Sequence, residues 1–281
     1  MKKILLLNNV NYHYEIIESL IVKYREILNI NLKDEDAQIY VSNIERNKSY
    51  VNYIKDKYPN VILKLIKDYD YIIHATIYDK HFNYLEKGIN SKEKYISHEI
   101  TDRLLTNPNV YYLTPISNKN IFTANILPFI EKKIKTDIPI YIIQGNLNHG
   151  RRHLNSLKKI LSKDYQYKYT IKLIGNGSFP NELNDYKSKI LCKANLNFQD
   201  YHNEFTSCYC ILPLITKSSH PQYYTKKLTS TVNYANGYNI KCLIDKDLQN
   251  IYNLKNAEVY NNQLDICDAF EKTLKDFYKI E

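Results

Sequence analysis

The chain has 281 residues, 44% of them hydrophobic and 25% charged, with a formal net charge of +9. That length buries one large core or two ordinary ones, and the balance is that of a globular protein rather than a disordered or fibrous one. The positive charge suits a polyanion, but the lysines are scattered as pairs (Lys2-Lys3, Lys132-Lys133, Lys158-Lys159, Lys226-Lys227), so charge alone does not choose among nucleic acid, an anionic membrane surface and a nucleotide phosphate.

The five cysteines form no C-x-x-C pair, which suits reduced, mostly buried thiols in a cytosolic compartment. The 28 tyrosines, with many Lys, Asn and Ile and no Trp, match the codon bias of an AT-rich genome and are not read as a stacking surface. The N-terminal MKKILLLNN is too short for a signal or membrane segment and reads as a first core strand.

Residues 4–7 are a continuous apolar run, as in a parallel strand buried on both faces. A polar loop, 8–12, leads into a helix from about 13 to 28 with Ile16, Ile17, Leu20, Ile21, Tyr24 and Ile27 at helical spacing. Further strands are predicted at 37–41, 61–65, 71–75, 95–97 and 110–113, with helices near 48–57 and 82–87. The Pro-containing, cationic stretch 114–137 marks a boundary between domains 1–136 and 137–281. A second alternation follows: strand 140–143, helix 151–162, strand 170–174, helix 181–190, strand 196–198, helix 202–207, strand 209–214, helix 226–236, strand 240–244 and helix 264–278. The expected fold is therefore α/β in two successive domains, with the last helix free to pack back on the N-terminal one.

Five of the six glycines (Gly145, Gly150, Gly175, Gly177, Gly237) lie in the second domain, at or near the ends of predicted elements. Ligands of open parallel sheets bind beyond the carboxyl ends of the strands, so the anionic ligand is expected there. The strand, the turn from Gly145 to Gly150 and the helix start with Arg151 and Arg152 read as a phosphate cradle of backbone N–H groups, helix dipole and guanidinium. Its Gly-x4-Gly spacing is that of a P-loop, but two arginines replace the Lys and the metal-binding hydroxyl. The turn Gly175-Asn176-Gly177 and the segment 218–231, with Lys226, Thr229, Ser230 and Thr231, are expected to converge on the same edge.

The runs YIIQGNLNHGRRHLNSL, KLIGNG, NLNFQDYHNEF and YYTKKLTSTVNYANGYNIKCLID, in that order and spacing, resemble the nucleotide-sugar-binding half of GT-B-fold glycosyltransferases over residues 138–245. The resemblance implies two Rossmann-like α/β domains facing a cleft, an enzyme of the hexosyl- or glycosyltransferase class, and a nucleotide-sugar donor, first of all a UDP-sugar, as substrate with no separate cofactor. It implies that Gly145, Asn146, Arg151 and Arg152 hold the donor diphosphate, that Asn197 and Phe198 border the base, and that Thr229, Ser230 and Thr231 face phosphate or ribose. Many retaining members carry a Glu five residues before the helix glycine; Val232 stands there instead, which leaves ribose recognition and membership of those families open.

The first domain is then expected to bind the acceptor, whether glycan, lipid or protein. An inverting transferase needs a general base within reach of the acceptor hydroxyl. His98 and Glu99, just past an apolar strand, are the first candidates and His13 is the next; Asn8, Asn9, Asn11, His74 and Asp79 lie on neighbouring loops. The D-x-D pairs at Asp34-Asp36, Asp68-Asp70 and Asp245-Asp247 read as loop carboxylates, so no metal is expected and the arginines, Lys226 and helix N-termini would meet the leaving-group charge. Competing readings are a P-loop-like NTPase or kinase, a catalytically lapsed nucleotide-sugar binder and a nucleic-acid-binding protein; a peripheral membrane contact is compatible with the charge.

Overall fold

A computed structural model describes residues 1–10, 12–79, 81, 90–123, 134–147, 150, 152–261 and 265–279. The predicted helix at 82–87 lies outside them. The chain divides into two compact units, Met1–Leu127 with Lys226–Leu228, and Pro128–Thr225 with Thr229–Glu281.

The first unit carries β1 (Lys2–Leu7), β2 (Ala37–Ser42), β3 (Ile62–Leu63), β4 (Tyr71–Ile77), β5 (Glu93–Ser97) and β6 (Val110–Tyr112). Their order is β3-β2-β1-β4-β5-β6 and every pairing is parallel. Helices α1 (Tyr14–Leu28), α2 (Lys48–Lys57) and α3 (Asp102–Leu105) connect them. The apolar stripe of α1 lands where its spacing directs, with Ile16, Ile17 and Leu20 all fully buried. Tyr53 and Tyr58 of the α2 region both donate to the buried Glu18 carboxylate, which Lys57 also pairs at 2.9 Å, so α1 and α2 are joined by a satisfied polar cluster.

The second unit repeats the architecture with β7 (Ile140–Asn146), β8 (Thr170–Asn176), β9 (Ile190–Ala194), β10 (Cys210–Ile211), β11 (Lys241–Asp245) and β12 (Ala257–Tyr260). The order is β12-β11-β10-β7-β8-β9, again parallel throughout. Its helices are α4 (Leu154–Ser162), α5 (Phe198–Thr206), α6 (Gln222–Thr225), α7 (Ser230–Gly237), α8 (Lys246–Tyr252) and α9 (Ile266–Tyr278). Relative to its first strand, each sheet has the doubly wound 3-2-1-4-5-6 order of dinucleotide-binding folds, so each has one point where the direction of winding reverses. That point lies between β1 and β4 in the first unit and between β7 and β10 in the second.

The closing helix α9 packs on the sheet of its own unit, which answers where the last helix goes: Phe270 lies 4.4 Å from the Tyr141 ring, and the Tyr141 and Thr273 hydroxyls are 2.8 Å apart. Several other predicted elements shift. Residues 196–198 are not a strand, because Asn195 turns the chain with φ 57 and Asn197 caps α5 by accepting from Asp200 N. The strand of that region is β9, whose half-exposed edge position hides it from an apolar-run criterion. The predicted strand 209–214 shortens to Cys210–Ile211 before Pro213, which lacks an N–H, and Leu214 at φ 49. Residues 181–189 form a 3-10 helix, the strand predicted at 61–65 contracts to two residues, and the helix predicted from 226 starts at Ser230.

Candidate active site

In the first unit the loops leaving β1, β4 and β5 bring the three predicted base candidates together. His13 caps the N-terminal end of α1 in the left-handed region, with φ 61 and ψ 37. A non-glycine residue there costs roughly 1 kcal/mol. Its Nδ1 lies 2.9 Å from Glu15 Oε1, and its ring is 3.8 Å from that of His98 at an interplanar angle of 30°. His98 is buried, with Nε2 3.4 Å from Thr76 Oγ1. Glu99 accepts from Asp79 N at 3.4 Å and pairs with Lys227 at 3.1 Å, while Thr101 Oγ1 donates to Asp79 at 2.9 Å.

Lys226 and Lys227 reach this edge because Lys226–Leu228 packs as part of the first unit. Lys227 bridges Glu99 in antiparallel fashion, Ile100 N donates to Lys226 O at 2.8 Å, and Leu228 N donates to His98 O at 3.3 Å. Lys226 thus groups with the first unit, and it is exposed. Sequence reasoning missed Lys227, since only the fold joins it to Glu99.

Also on β4, His74 lies 3.1 Å from Asn9 Nδ2 and stacks on Tyr95 at 4.9 Å. Burial lowers its pKa to about 4. Burial, then the charges of His13 and Lys227, also holds His98 well below the ordinary imidazole value. Both rings are thus neutral in the folded state and take up protons more readily once unfolded. The stability they contribute is present above about pH 6.5 and is lost as pH falls toward 4. We expect the urea midpoint to drop over that range by an amount worth about 1–3 kcal/mol, and His74→Gln with His98→Gln to flatten the dependence. An identical pH slope in the double variant would refute the assignment.

In the second unit, Gly145 and Gly175 face each other across the β7–β8 ladder at φ +117 and φ +147, followed by the pair Asn146 and Asn176. A Cβ on Gly175 would lie 1.6 Å from Gly145 O, so no other residue fits that register. Gly177, at φ +117, is clamped by Asn195, whose amide accepts from Gly177 N and donates to Gly177 O, both at 3.0 Å. At these glycines the backbone carries no side chain of its own, which leaves its polar groups approachable at the carboxyl end of the sheet.

Arg152 closes the side of this opening. Its guanidinium donates to Gln144 O and lies so close to Gly145 that a Cβ there would meet Nη2 at 2.6 Å. Arg151 lies outside the described residues. His153, the N-cap of α4, donates through its backbone N to Leu214 O at 2.7 Å. Gly150, at φ +77, accepts from His220 Nε2 at 2.9 Å.

The hydroxyl-rich start of α7 divides into different roles. Thr231 is fully buried and its Oγ1 accepts from Gln144 Nε2 at 2.9 Å, with Tyr201 donating to Gln144 Oε1 at 2.6 Å. It braces β7 through that bond. Thr229 is the buried N-cap residue without a side-chain capping bond, its backbone N donating to Tyr252 at 3.2 Å, and Ser230 is half-buried. Val232 is 2% exposed and belongs to the core. Phe198 opens α5, half-buried, its ring 4.3 Å from His202.

The D-x-D carboxylates have structural partners. Asp70 pairs with Lys2 at 2.8 Å, Asp68 with Lys3 at 2.7 Å, and Asp34 with Arg25. Asp245 caps α8 through Asp247 N and Leu248 N.

No protein-family model matches the chain, and no curated protein sequence matches it. Solved structures do match over nearly its full length. AviGT4, a glycosyltransferase involved in avilamycin A biosynthesis, aligns with a TM-score of 0.59 at 10% identity over 99% of this chain and 93% of its own. A glycosyltransferase from Rickettsia africae aligns at 0.54 and 12% identity, covering 99% and 90%. The UDP co-structure of S. aureus MnaA aligns at 0.52 and 10% identity, covering 100% and 92%. With two doubly wound parallel sheets, the chain has the GT-B fold.

Proposed function

We propose that this chain is a glycosyltransferase that moves a sugar from a nucleotide-diphosphate donor to an acceptor hydroxyl. The observation that carries the reading is the pair of glycines at the carboxyl ends of β7 and β8, next to the winding switch point between β7 and β10 and flanked by the Arg152 guanidinium and the start of α4. Doubly wound sheets bind ligands at that position, and backbone amides with a guanidinium suit a diphosphate. The similarity of fold to a protein solved with UDP supports a uridine nucleotide as the first one to test.

In this reading the second unit holds the donor and the first presents the acceptor and the base. His13 has the better geometry among the base candidates. His98 is buried beneath it and Glu99 is engaged by Lys227, whereas Glu15 holds His13 Nδ1–H and leaves Nε2 as the proton acceptor. The acceptor O–H proton passes to His13 Nε2, the acceptor oxygen bonds to the anomeric carbon, and the bond from that carbon to the diphosphate oxygen breaks. The diphosphate leaves with the electron pair, its growing charge met by loop amides and Arg152. His98 and Glu15 act through His13 as positioning residues.

The sugar, the base of the nucleotide and the acceptor are matters for a donor and acceptor panel. Among the described residues no helix is long and apolar enough to cross a membrane. The reading is tested by incubating the protein with nucleotide sugars and following release of nucleoside diphosphate with and without candidate acceptors. Acceptor-dependent release from one donor is expected, and no release from any donor and acceptor pair would sink it.

A further inference from the structure

The switch point of the second sheet contains a contact that the reaction scheme does not use. After β10 the chain turns at Leu214 and forms a tight hydroxyl knot: Thr216 Oγ1 lies 2.7 Å from Ser219 Oγ, Ser219 N donates to Thr216 Oγ1 at 3.2 Å, and His220 N donates to Thr216 O at 2.8 Å. This knot presents the His220 ring, which is only 5% exposed, to the loop that follows β7. His220 Nδ1 is 2.7 Å from Ser219 Oγ, and Nε2 is 2.9 Å from the carbonyl oxygen of Gly150. Tyr223 stacks on the ring at 5.9 Å and 27°.

The hydrogen-bond directions follow from chemistry. A carbonyl oxygen only accepts, so Nε2 carries the proton, and in the neutral ring Nδ1 must then accept from the Ser219 hydroxyl. Ser219 can in turn accept from Thr216 Oγ1. The relay Thr216 to Ser219 to His220 to Gly150 thus has one consistent sense and fixes the tautomer of the ring. A second tie two residues beyond the arginine pair's first member, His153 N to Leu214 O at 2.7 Å, fastens the same loop to the same segment.

We infer that His220, oriented by Ser219, is a positioning residue for anion binding: it withdraws the Gly150 carbonyl into a buried hydrogen bond so that the loop does not turn an acceptor oxygen toward a bound diphosphate. A carbonyl facing an anion repels it, and a loop serves as a phosphate cradle only when its carbonyls point elsewhere. The inference rests on the nucleotide reading for the identity of the ligand; the latch itself rests on the bonds above.

The test uses the full chain and two readouts. Amide hydrogen exchange across residues 145–153 in the ligand-free protein reports the latch, and calorimetry with UDP, GDP, ADP and inorganic pyrophosphate reports the anion site. His220→Ala is expected to raise exchange in that segment while leaving the thermal midpoint of unfolding within a few degrees, and to weaken the preferred nucleoside diphosphate about tenfold. The parent nucleoside, which lacks the phosphates, should bind the variant and the wild type alike. His220→Gln keeps an amide donor and should recover to within about threefold of wild type, and Ser219→Ala should fall between the two. Unchanged exchange and unchanged diphosphate affinity in His220→Ala overturn the positioning role, as does an equal loss for nucleoside and diphosphate. A wild type that binds none of the diphosphates, with exchange still raised in the variant, overturns the diphosphate as ligand and separates failure of the nucleotide reading from failure of the latch.

Discussion

Gly175→Ala is expected to destabilise the second unit severely. The added Cβ would lie 1.6 Å from Gly145 O and 2.6 Å from Gly145 C, both backbone atoms in the neighbouring central strand, and φ at Gly175 is +147. No rotamer change relieves a Cβ against backbone, so the β7–β8 ladder must separate at its carboxyl end. That ladder continues with Asn146 paired to Asn176, Leu147 N donating to Asn176 O at 2.8 Å, and Asn195 N donating to Gly175 O at 2.7 Å. Losing these bonds together with the strain amounts to about 4 kcal/mol or more, against a typical domain stability of about 5–15 kcal/mol. Urea unfolding followed by far-ultraviolet circular dichroism checks it; a midpoint within experimental error of wild type would show that the close approach is not as described. Gly150→Ala is the internal control, since nothing lies within 4 Å of a Cβ there and only the φ of +77 opposes it.

His13→Ala is expected to lower kcat by about 100- to 10,000-fold, the range for loss of a general base, with donor affinity nearly unchanged. Glu15→Gln should cost less, about tenfold, because an amide can still hold Nδ1 but no longer favours the charged ring that forms during the reaction. Glu99→Gln separates the candidates. Its carboxylate is paired with Lys227 and bonded by Asp79 N, so the substitution should affect stability more than turnover. The measurement is steady-state rate against acceptor concentration with the cognate donor saturating. A His13→Ala enzyme with near wild-type kcat, alongside an inactive Glu99→Gln enzyme, would transfer the base assignment to Glu99.

Much of this organisation was legible in the chain. Continuous apolar runs such as ILLL at residues 4–7 and the helical spacing from Ile16 to Ile27 announce a strand, loop and helix because parallel strands are buried on both faces and helices on one. Glycines at strand ends marked the edge of the second sheet for the same physical reason that the structure shows, backbone conformations at positive φ. His13, His98 and Glu99 were visible as polar residues following apolar strands, although their mutual approach depends on β1 and β5 both flanking β4.

What the chain hid is direction and long-range pairing. Thr231 looks like its neighbours Thr229 and Ser230 in a hydroxyl-rich helix start, yet its place on the helix turns it inward to Gln144. Lys226 and Lys227 look like the lead-in to that helix, yet backbone pairing carries them to Glu99 and Ile100 of the first unit. The bond from His220 to Gly150 spans 70 residues and has no local signature. Strand β9 escaped because an edge strand with Leu191, Cys192 and Lys193 exposed has neither a buried run nor a clean alternation.

The central claim is that the glycine edge of the second sheet holds the diphosphate of a nucleotide sugar. Isothermal titration of the wild type and of Arg152→Ala with UDP, GDP and ADP tests it most directly. The wild type should bind one of them in the micromolar range, and the variant should bind it about ten- to a hundredfold more weakly, as befits loss of a charge-assisted contact, while remaining folded despite the lost bond to Gln144 O. Wild-type protein that releases no heat with any nucleoside diphosphate or nucleotide sugar, or an Arg152→Ala variant that binds as tightly as wild type, would contradict it.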